Sequence, residues 1–284
     1  MPALPNGKPC RMPELTEAQH EARRTRIGAS EVGALLGHHP WTDPARIFAR
    51  IMDGPDPKKQ TESMRAGHLL ERAIGHAAAS DLGLSVRACS RTYVHPTLPL
   101  AASPDFYCRD AAGIGGVLEV KLSRDWSDWL DGPPPWYAWQ VRAQLALTDR
   151  PYGILAALVG TSLQVHAIER DAGKEAELFE AVAAFDRDYL APSKPPPTDD
   201  VGLMLRWQLG DGQTIASGDL ATLGDYYAGA VRIRKGADLN EAERREAFAR
   251  ALADRHGTRL VLGTGWSARI DDRGTLRFDV RGKA

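Results

Sequence analysis

Cysteine is scarce in this sequence: its 284 residues include only Cys10, Cys89 and Cys108, and no two of these form a CxxC pair. This spacing argues against a structural zinc site or an iron–sulfur cluster, and it suits a reducing cytoplasm. Long apolar runs are also lacking. No stretch approaches the roughly 20 apolar residues that span a bilayer, and the first residues contain no apolar signal core. We therefore expect a cytoplasmic protein with no membrane partner.

An excess of positive charge is missing as well. The chain has 36 Lys and Arg against 37 Asp and Glu, which gives a formal net charge of -1. Such a protein has no global field that attracts nucleic acid, so any DNA contact must come from locally clustered basic residues. The apolar content of 43% and charged content of 26% are ordinary for a globular protein. The length suffices for one large domain and a smaller appendage.

Proline-rich segments divide the chain. Residues 1–15 predict a flexible N-terminal arm, and residues 191–200 (APSKPPPTDD) predict a linker, because clustered prolines forbid both helices and sheet ladders. Residues 16–190 alternate helical and strand-like segments, and they predict an α/β domain. Residues 201–284 have a different composition, with two helical stretches (218–235 and 239–256) and a terminal hairpin.

Several helix boundaries follow from local signals. Thr16 is a candidate N-cap for the first helix, and Ser30 for a short helix that Gly37 ends. Further helices are predicted over 43–52, 61–82, 137–147 and 171–190. The long helix 61–82 carries Glu71 in its middle. The residues near its apolar side are Met64, Leu69, Ala73 and Ala77.

The pattern that decides the interpretation is a Ser-Pro-Asp segment that ends at Asp105, fourteen residues before Glu119. In a strand, side chains alternate, so Glu119 and Lys121 project from one face while Val120 enters the core. If the strand that carries Asp105 pairs with theirs, two carboxylates and one ammonium group converge. Carboxylate oxygens, the Val120 carbonyl and water make a suitable Mg²⁺ site, with Mn²⁺ as the alternative. Taken alone, the pattern also fits an exposed salt-bridge face, but the flanking apolar residues argue against that.

The order of these segments resembles the PD-(D/E)xK nuclease superfamily, in which a helix, three strands, a helix and another strand form the catalytic core. Five motifs between about residues 20 and 190 further resemble the YqaJ-type viral recombinases, the family that includes the phage lambda exonuclease. The motifs are RRTRIGASEVGALLG, RAGHLLE, ASPDFYC, LEVKLS and WQVRAQLALTDRPYGILAAL. The resemblance implies an α/β, restriction-endonuclease-like core, with a central mixed β-sheet flanked by helices. The residue patterns beyond it predict a small C-terminal helix–hairpin appendage.

The same resemblance implies the roles of the candidate residues. Glu71 corresponds to the helical acid of the family, which helps to hold a metal directly or through water. Asp105 and Glu119 correspond to the principal metal ligands, and Lys121 to the catalytic lysine. Gln140 corresponds to the glutamine that positions the lysine, the water or the substrate. The implied cofactor is Mg²⁺.

A second set of residues is expected to contact DNA. Arg23 and Ser30 match the pair that grips a 5′ phosphate in the family, and an arginine and a hydroxyl suit that role. Arg24 and Arg26 are candidates for contacts to the DNA backbone. Where relatives have a Gln-x-Gln pair, this chain has Arg142 in the second position, so the second glutamine is in doubt and a contact between Arg142 and the backbone is the alternative.

Other features have two interpretations each. His68 either joins the metal site or is an ordinary packed or surface residue, and we favour the second. A group of tryptophans either packs the loop and helix onto the core, which we favour for most of them, or includes one exposed ring that stacks on a base. These are Trp126, Trp129, Trp136 and Trp139. The basic run 232–235 suits either DNA contact or a solvated helix end.

The resemblance implies a metal-dependent exonuclease that degrades linear double-stranded DNA from 5′ to 3′, exposing a 3′ single strand for phage-type recombination. It also implies binding to DNA ends, a ring-shaped homo-oligomer (commonly a trimer), a single-strand annealing protein as partner, and a phage or prophage origin. One alternative is another PD-(D/E)xK nuclease with a repair or CRISPR-associated role. A second is a catalytically silent DNA-end-binding protein, which the intact Asp105, Glu119 and Lys121 argue against.

Overall fold

The computed structural model describes residues 17–54, 61–207, 213–216, 220–232, 238–254, 258–263, 266–271 and 274–280. They divide into two compact units, and the division falls between Lys194 and Pro195, within the proline-rich segment. The predicted arm, the candidate N-cap Thr16 and residues 233–235 of the basic run lie outside the described residues. Within the part of the chain that the structure describes, no helix combines the length and apolar character that crossing a membrane requires.

The first unit alternates helices and strands. In chain order these are α1 (Glu17–Arg24), β1 (Ile27–Gly28), α2 (Val32–Leu35), α3 (Pro44–Met52), α4 (Glu62–Asp81), β2 (Ser85–Ala88), β3 (Tyr93–Val94), β4 (Leu100–Ala102), β5 (Phe106–Arg109), β6 (Gly115–Ser123), α5 (Pro135–Thr148), β7 (Tyr152–Val159), β8 (Ser162–Glu169) and α6 (Ala172–Phe185). The side chains of Asp43 and Thr61 cap α3 and α4 by accepting from backbone N–H groups. The predicted helices and strands of this unit are therefore present, with small shifts at their ends.

A five-stranded mixed sheet, ordered β2-β5-β6-β7-β8, forms the centre of the first unit. Neighbouring strands run antiparallel except for β6 and β7, which are parallel. The strand that follows Asp105, β5, pairs antiparallel with β6, as the predicted convergence of Asp105, Glu119 and Lys121 requires. A smaller sheet, ordered β1-β4-β3, lies in the same unit. The predicted central mixed sheet flanked by helices is confirmed.

Helices α4 and α5 cover opposite faces of the large sheet. On one face, Leu118 of β6 packs in a core cluster with Ile74 of α4. On the other face, Val117 packs with Val141 of α5. Because side chains alternate along a strand, Glu119 projects to the α5 face, as Val117 does.

The buried side of α4 differs from the apolar side that the sequence suggested. Met64 and Leu69 are 48% and 61% exposed, and Ala73 and Ala77 are exposed as well. The expectation was wrong because it followed the larger apolar residues, whereas close approach of a helix to a sheet selects small ones. The buried residues of α4 are Ile74, Gly75, Ala78 and Ala79.

Gly75 determines how closely α4 approaches β5. A Cβ atom at this position would lie 2.6 Å from Cε2 of Phe106, whose ring is buried and only 1% exposed. We expect Gly75→Ala to lower the free energy of unfolding by about 1–3 kcal/mol, because overpacking displaces the ring. Thermal unfolding followed by circular dichroism should show a melting temperature several degrees lower.

Gly67 offers a matched control in the same helix. A Cβ atom there would meet nothing within 4 Å, so Gly67→Ala should stabilise the helix by roughly 0.5–1 kcal/mol through its better helix propensity. If Gly75→Ala melts at the wild-type temperature or above it, the close contact with Phe106 is contradicted.

A tight turn connects β1 to α2. Residues Ala29–Glu31 form a 3₁₀ turn, and exposed Ser30 lies inside it. The expected N-cap role of Ser30 is therefore wrong. Glu31 instead accepts a hydrogen bond at 2.8 Å from the N–H of Gly28, three residues earlier, which satisfies that donor. The predicted stop at Gly37 is confirmed by its positive φ of 73°, a conformation that glycine adopts without strain.

The second unit has its own helices, sheet and core. Its elements are α7 (Val201–Trp207), β9 (Gln213–Ala216), α8 (Ala221–Arg232), α9 (Asp238–Ala253), β10 (Thr258–Gly263), β11 (Trp266–Ile270) and β12 (Leu276–Val280). The strands form one sheet, ordered β12-β11-β10-β9, in which β9 runs parallel to β10. Buried Phe248 contacts Trp266 edge-on within the core.

This unit has more elements than the predicted helix–hairpin appendage. The two predicted helices correspond to α8 and α9, and the predicted hairpin to β11 and β12. The sequence analysis missed α7 and β9. Both are short, and β9 acquires its partner more than forty residues later in the chain, a pairing that no local pattern indicates.

Candidate active site

The strands β5 and β6 separate at the position of Asp105. Their pairing ends with Phe106 opposite Leu118, whereas β6 continues beside β7 as far as Ser123. Asp105 lies just before β5, and its Oδ2 accepts a hydrogen bond at 2.8 Å from the N–H of Val120. The carboxylate thus bonds to an N–H group of β6 just after the pairing of β5 with β6 has ended. This bond fixes Asp105 beside the part of β6 that carries Glu119 and Lys121.

Glu119 lies at the centre of a hydrogen-bond network. Its side chain is almost fully buried, and Lys121 Nζ donates to its Oε1 at 2.6 Å. Gln140 Nε2 also donates to Oε1, while Gln144 Nε2 donates to Oε2 at 2.7 Å. The expected projection of Glu119 and Lys121 from one face is present, and Gln140 reaches the same group from α5.

The sequence analysis gave Gln144 no role in the site. It is fully buried, and it lies one helical turn after Gln140, so the two amides share a face of α5. The four-residue spacing from Gln140 was the available signal, whereas the Gln-x-Gln motif of the family points to position 142. Arg142 projects elsewhere: its guanidinium lies 5.3 Å from the ring centroid of Trp139. The Oε1 atom of Gln144 is buried and has no hydrogen-bond partner among the described residues.

The carboxylates of the site repel one another. Burial raises the pKa of Asp105 well above its usual range, and the charges of Glu119 and Glu71 raise it further. Burial and the charge of Glu119 likewise raise the pKa of Glu71. Burial opposes the charge of Lys121, but Glu119 and Asp105 outweigh it and raise the pKa of the ammonium group. Three acidic groups thus share one lysine, and the site has an excess of negative charge.

This donor set fits a hard divalent cation. Magnesium prefers carboxylate, carbonyl and water oxygens, and neutralising charge is what the mutually repelling carboxylates require. The pairing of β6 with β5 ends at Leu118, two residues before Val120. The side chains do not form a closed cage: among the described residues, no group of three or more His, Cys, Asp or Glu could hold a metal by itself. A cation here would need the backbone and water as well.

Glu71 and His68 lie together on α4. His68 Nδ1 is 3.8 Å from Oε2 of Glu71, and the His68 side chain is 68% exposed whereas that of Glu71 is 18% exposed. Glu71 is therefore at the margin of the buried site, within electrostatic reach of Glu119 and Asp105. The histidine is a surface residue that accompanies the helical acid.

The segment that carries the candidate phosphate-binding residues is held by Arg50 of α3, which the sequence analysis missed. Its Nε and Nη2 donate to the two carboxylate oxygens of Glu31, both at 2.7 Å. The same guanidinium donates to the backbone carbonyls of Arg23 at 3.2 Å and of Arg26 at 2.7 Å. This bidentate ion pair fixes the end of α1 relative to the turn that carries Ser30.

The three candidate arginines differ in their surroundings. Arg24 is paired with Glu21 through two hydrogen bonds of 2.8 Å. Arg26 is partly buried and donates to the carbonyl of Ala22 at 3.4 Å. Arg23 is exposed, and its guanidinium has no partner among the described residues. Of the three, Arg23 is therefore the one whose charge is available to a ligand.

The tryptophans mostly pack, as expected. Trp129 and Trp139 are 3% and 4% exposed, whereas Trp126 is 43% exposed. Trp136 is half-buried and meets Trp41 edge-on, with 5.6 Å between the ring centroids. Trp41 is itself 61% exposed, and it was not among the tryptophans considered from the sequence.

The chain is similar to a known protein family and to solved structures. The sequence model of the YqaJ-like viral recombinase domain matches residues 19–151. An alkaline exonuclease from Laribacter hongkongensis, LHK-Exo, has a similar structure: the TM-score is 0.51 at 23% identity, over 62% of this chain and 94% of that one. Its complex with dAMP gives a TM-score of 0.52 at the same identity and coverage. This likeness shows that the matched part of the chain shares the fold of that exonuclease. Among curated proteins, no sequence matches this chain.

Proposed function

The model of the YqaJ-like viral recombinase domain matches residues 19–151, and from this match we propose that the protein is a magnesium-dependent exonuclease that degrades linear double-stranded DNA. The observation that carries the proposal is the arrangement around Glu119. A buried carboxylate bonded to Lys121 and to two glutamines, beside Asp105 at the point where two strands separate, is costly for folding alone. Such arrangements persist where chemistry requires them.

The chain's own residues divide the work. Asp105, Glu119 and the Val120 carbonyl would hold Mg²⁺, with Glu71 directly or through water, and the ion would supply a bound water of lowered pKa and charge neutralisation at the phosphate. Lys121 stabilises the negative charge that develops on the scissile phosphate and orients the attacking water. The glutamines of α5 keep Glu119 in a fixed position, so that the carboxylate need not reorganise during the reaction.

The end of the DNA is recognised by the segment between α1 and α2. Exposed Arg23 offers a planar guanidinium to a terminal 5′ phosphate, and the exposed hydroxyl of Ser30 offers a further donor. Arg50 and Glu31 hold the backbone that carries both. A site for a 5′ phosphate supports degradation from 5′ to 3′.

The remaining features of the proposal rest on the family resemblance. They are an assembly of several copies in a ring, of which a trimer is the commonest form, and a partner that anneals the exposed 3′ strand. In the cell, such an enzyme prepares DNA ends for phage-type recombination.

The decisive experiment uses a linear duplex with a label at one 5′-phosphorylated end. Incubation with Mg²⁺ is expected to release labelled mononucleotide first, and EDTA should abolish the release. A duplex with a 5′ hydroxyl should be degraded more slowly, and a covalently closed circle should remain intact.

Each rival function predicts another outcome. Retained binding to DNA ends with no degradation in Mg²⁺ or Mn²⁺ would identify a silent end-binding protein. Cleavage of the closed circle would indicate an endonuclease, as in a repair or CRISPR-associated role. Release that starts from the 3′ end would contradict the proposed direction.

Gln144 is predicted to be a positioning residue for Glu119. The Gln144→Leu substitution removes the donor to Oε2 of a buried carboxylate, and a hydrogen bond to a charged group contributes about 1.5–3 kcal/mol. We expect the turnover rate to fall by roughly 10- to 100-fold and the Mg²⁺ concentration at half-maximal rate to rise, while the affinity for DNA in EDTA stays unchanged.

Gln164 of β8 provides the matched control, because its side chain does not bond to Glu119. Gln164→Leu should leave the rate and the Mg²⁺ dependence at wild-type values. A Gln144→Leu enzyme with normal Mg²⁺ dependence, or one whose loss is explained by a lower melting temperature, would show that Gln144 only packs.

A further inference from the structure

A second group of charged residues lies on the same sheet as the candidate active site, outside the motifs discussed so far. Arg87, Arg109 and Arg150, together with Ser85, line a cavity of about 130 Å³ around Tyr107. The guanidinium carbons of Arg87 and Arg150 each lie 4.8 Å from the centroid of the Tyr107 ring. We name this group the arginine pocket.

The arginine pocket has no internal counter-charge. Among the described residues, no carboxylate forms an ion pair with any of the three arginines. Arg109 donates to the carbonyl of Gly113 at 2.9 Å, and the nearby Asp110 accepts from the N–H of Ile114. The Nε atom of Arg150 is buried and lacks a hydrogen-bond partner in the described part of the chain. Three positive charges around one small cavity, with an unused buried donor, favour an anionic ligand.

The backbone is shaped to admit one of these arginines. A Cβ atom at Gly115 would lie 2.3 Å from Nη1 of Arg150, so the guanidinium occupies space that only glycine leaves open. Tyr107 supports it from the side by a cation–π contact. Arg150 is thereby held over the first residue of β6.

The pocket shares a face of the sheet with Glu119. Arg87 pairs with Tyr107, and Tyr107 pairs with Val117, which packs toward α5 on the Glu119 face. Residues directly opposite in antiparallel strands project from the same face. Along β6, Gly115 precedes Glu119 by four residues, or about 13 Å at the rise of a strand. The pocket and the carboxylates are therefore close enough for one DNA molecule to contact both.

From this geometry we infer that the arginine pocket binds a backbone phosphate of the DNA, several nucleotides from the scissile bond. The inference rests on the proposed function, because the ligand is part of the same DNA. The cavity volume of about 130 Å³ is well above the roughly 10–15 Å³ that admits one water molecule, so a phosphate group can enter. Arginine's fixed fork of donors matches phosphate oxygens. The pocket anchors the DNA, and it takes no part in the reaction itself.

The test is a titration of DNA binding against salt, performed in EDTA so that no turnover occurs. A fluorescein-labelled linear duplex is bound by wild type, Arg87→Gln and Arg150→Gln over a series of NaCl concentrations. In a plot of the logarithm of the association constant against the logarithm of the salt concentration, each lost phosphate contact should make the negative slope shallower by about 0.9. The loss should also weaken binding at low salt. Arg187→Gln is the control, because it removes an equal charge from an exposed residue that is already paired with Asp188.

A second measurement separates a DNA phosphate from a free one. Inorganic phosphate that raises the melting temperature of wild type but not of Arg150→Gln, with unchanged salt slopes for DNA, would assign the pocket to free phosphate and overturn the inference. Arg150→Lys retains the charge, so it should melt like wild type and keep most of the slope. Its behaviour shows whether a loss in Arg150→Gln reflects misfolding.

The remaining outcomes are equally distinct. If wild type degrades and binds DNA but both glutamine variants have the slope of Arg187→Gln, the inference fails and the proposed function stands. If the variants change the oligomeric state and leave the slope unaltered, the arginines belong to a contact between copies, which also overturns it. If wild type neither binds nor degrades DNA, the proposed function itself fails.

Discussion

Replacing Lys121 by alanine is expected to lower the rate of Mg²⁺-dependent degradation of linear duplex DNA by about 100- to 1,000-fold. Removing one preorganised donor from a developing negative charge typically has an effect of this size. Lys121 is held by Glu119 at 2.6 Å, and its side chain is 19% exposed, so the ammonium group is fixed at the rim of the site where a phosphate can reach it. The measurement is the initial rate of nucleotide release at saturating DNA and Mg²⁺.

Lys174 provides a matched control for this substitution. It is 44% exposed and paired with Glu177 on α6, so Lys174→Ala removes the same charge outside the site and should retain the wild-type rate. DNA binding by Lys121→Ala in EDTA should remain within a few-fold of wild type, since the lysine acts on the transition state rather than on affinity. A rate that falls only in proportion to DNA affinity would contradict a catalytic role.

The centre of this site could be predicted from the sequence because it depends on the alternation of side chains over a few consecutive residues. Alternation along GVLEVKLS places Glu119 and Lys121 on one face whichever strands lie beside it. The hairpin signal between β5 and β6 then brings Asp105 close, since the two strands must pair antiparallel. Both inferences use fewer than twenty consecutive residues, over which local geometry determines which side chains meet.

The parts that were missed depend on contacts between distant segments. Arg50 binds Glu31 nineteen residues away, and nothing in either local pattern indicates the partner. Gln144 was given no role because the family motif places its second glutamine at position 142, whereas the phase of the helix places Gln144 beside Gln140. The buried side of α4 was misjudged because the sheet that it packs against favours small residues such as Gly75. Tertiary packing determines which residues of a helix are buried, and it can override the pattern of apolar residues in the sequence.

The arginine pocket and the carboxylates of the candidate active site carry local charges of opposite sign. The arginine pocket concentrates positive charge on β2, β5 and the turn after α5, whereas the carboxylates concentrate negative charge where β5 and β6 separate. A net charge of -1 for the whole chain therefore conceals two local fields of opposite sign. Substrate phosphate is attracted to the first and requires a cation at the second, which is why composition alone says little about DNA binding here.

The Asp105→Asn substitution is expected to inactivate the enzyme and yet to stabilise the protein in EDTA. Loss of a metal-site carboxylate removes several kcal/mol of transition-state stabilisation, which corresponds to a rate roughly 1,000-fold lower. Burial and the charges of Glu119 and Glu71 raise the pKa of Asp105, so its ionised form destabilises the folded state at pH 7. The asparagine oxygen can still accept from Val120 N–H, and the repulsion disappears.

Thermal unfolding with and without Mg²⁺ checks the prediction independently of activity. In EDTA at pH 7, Asp105→Asn should melt a few degrees above wild type, since about 1 kcal/mol corresponds to roughly 2–4 °C in a domain of this size. Saturating Mg²⁺ should raise the melting temperature of wild type more than that of the variant, because only the intact site binds the ion well. The same substitution at exposed Asp149 breaks an ion pair with Arg170 and should not stabilise. A lower melting temperature for Asp105→Asn in EDTA would mean that packing and the Val120 hydrogen bond outweigh charge repulsion at this position.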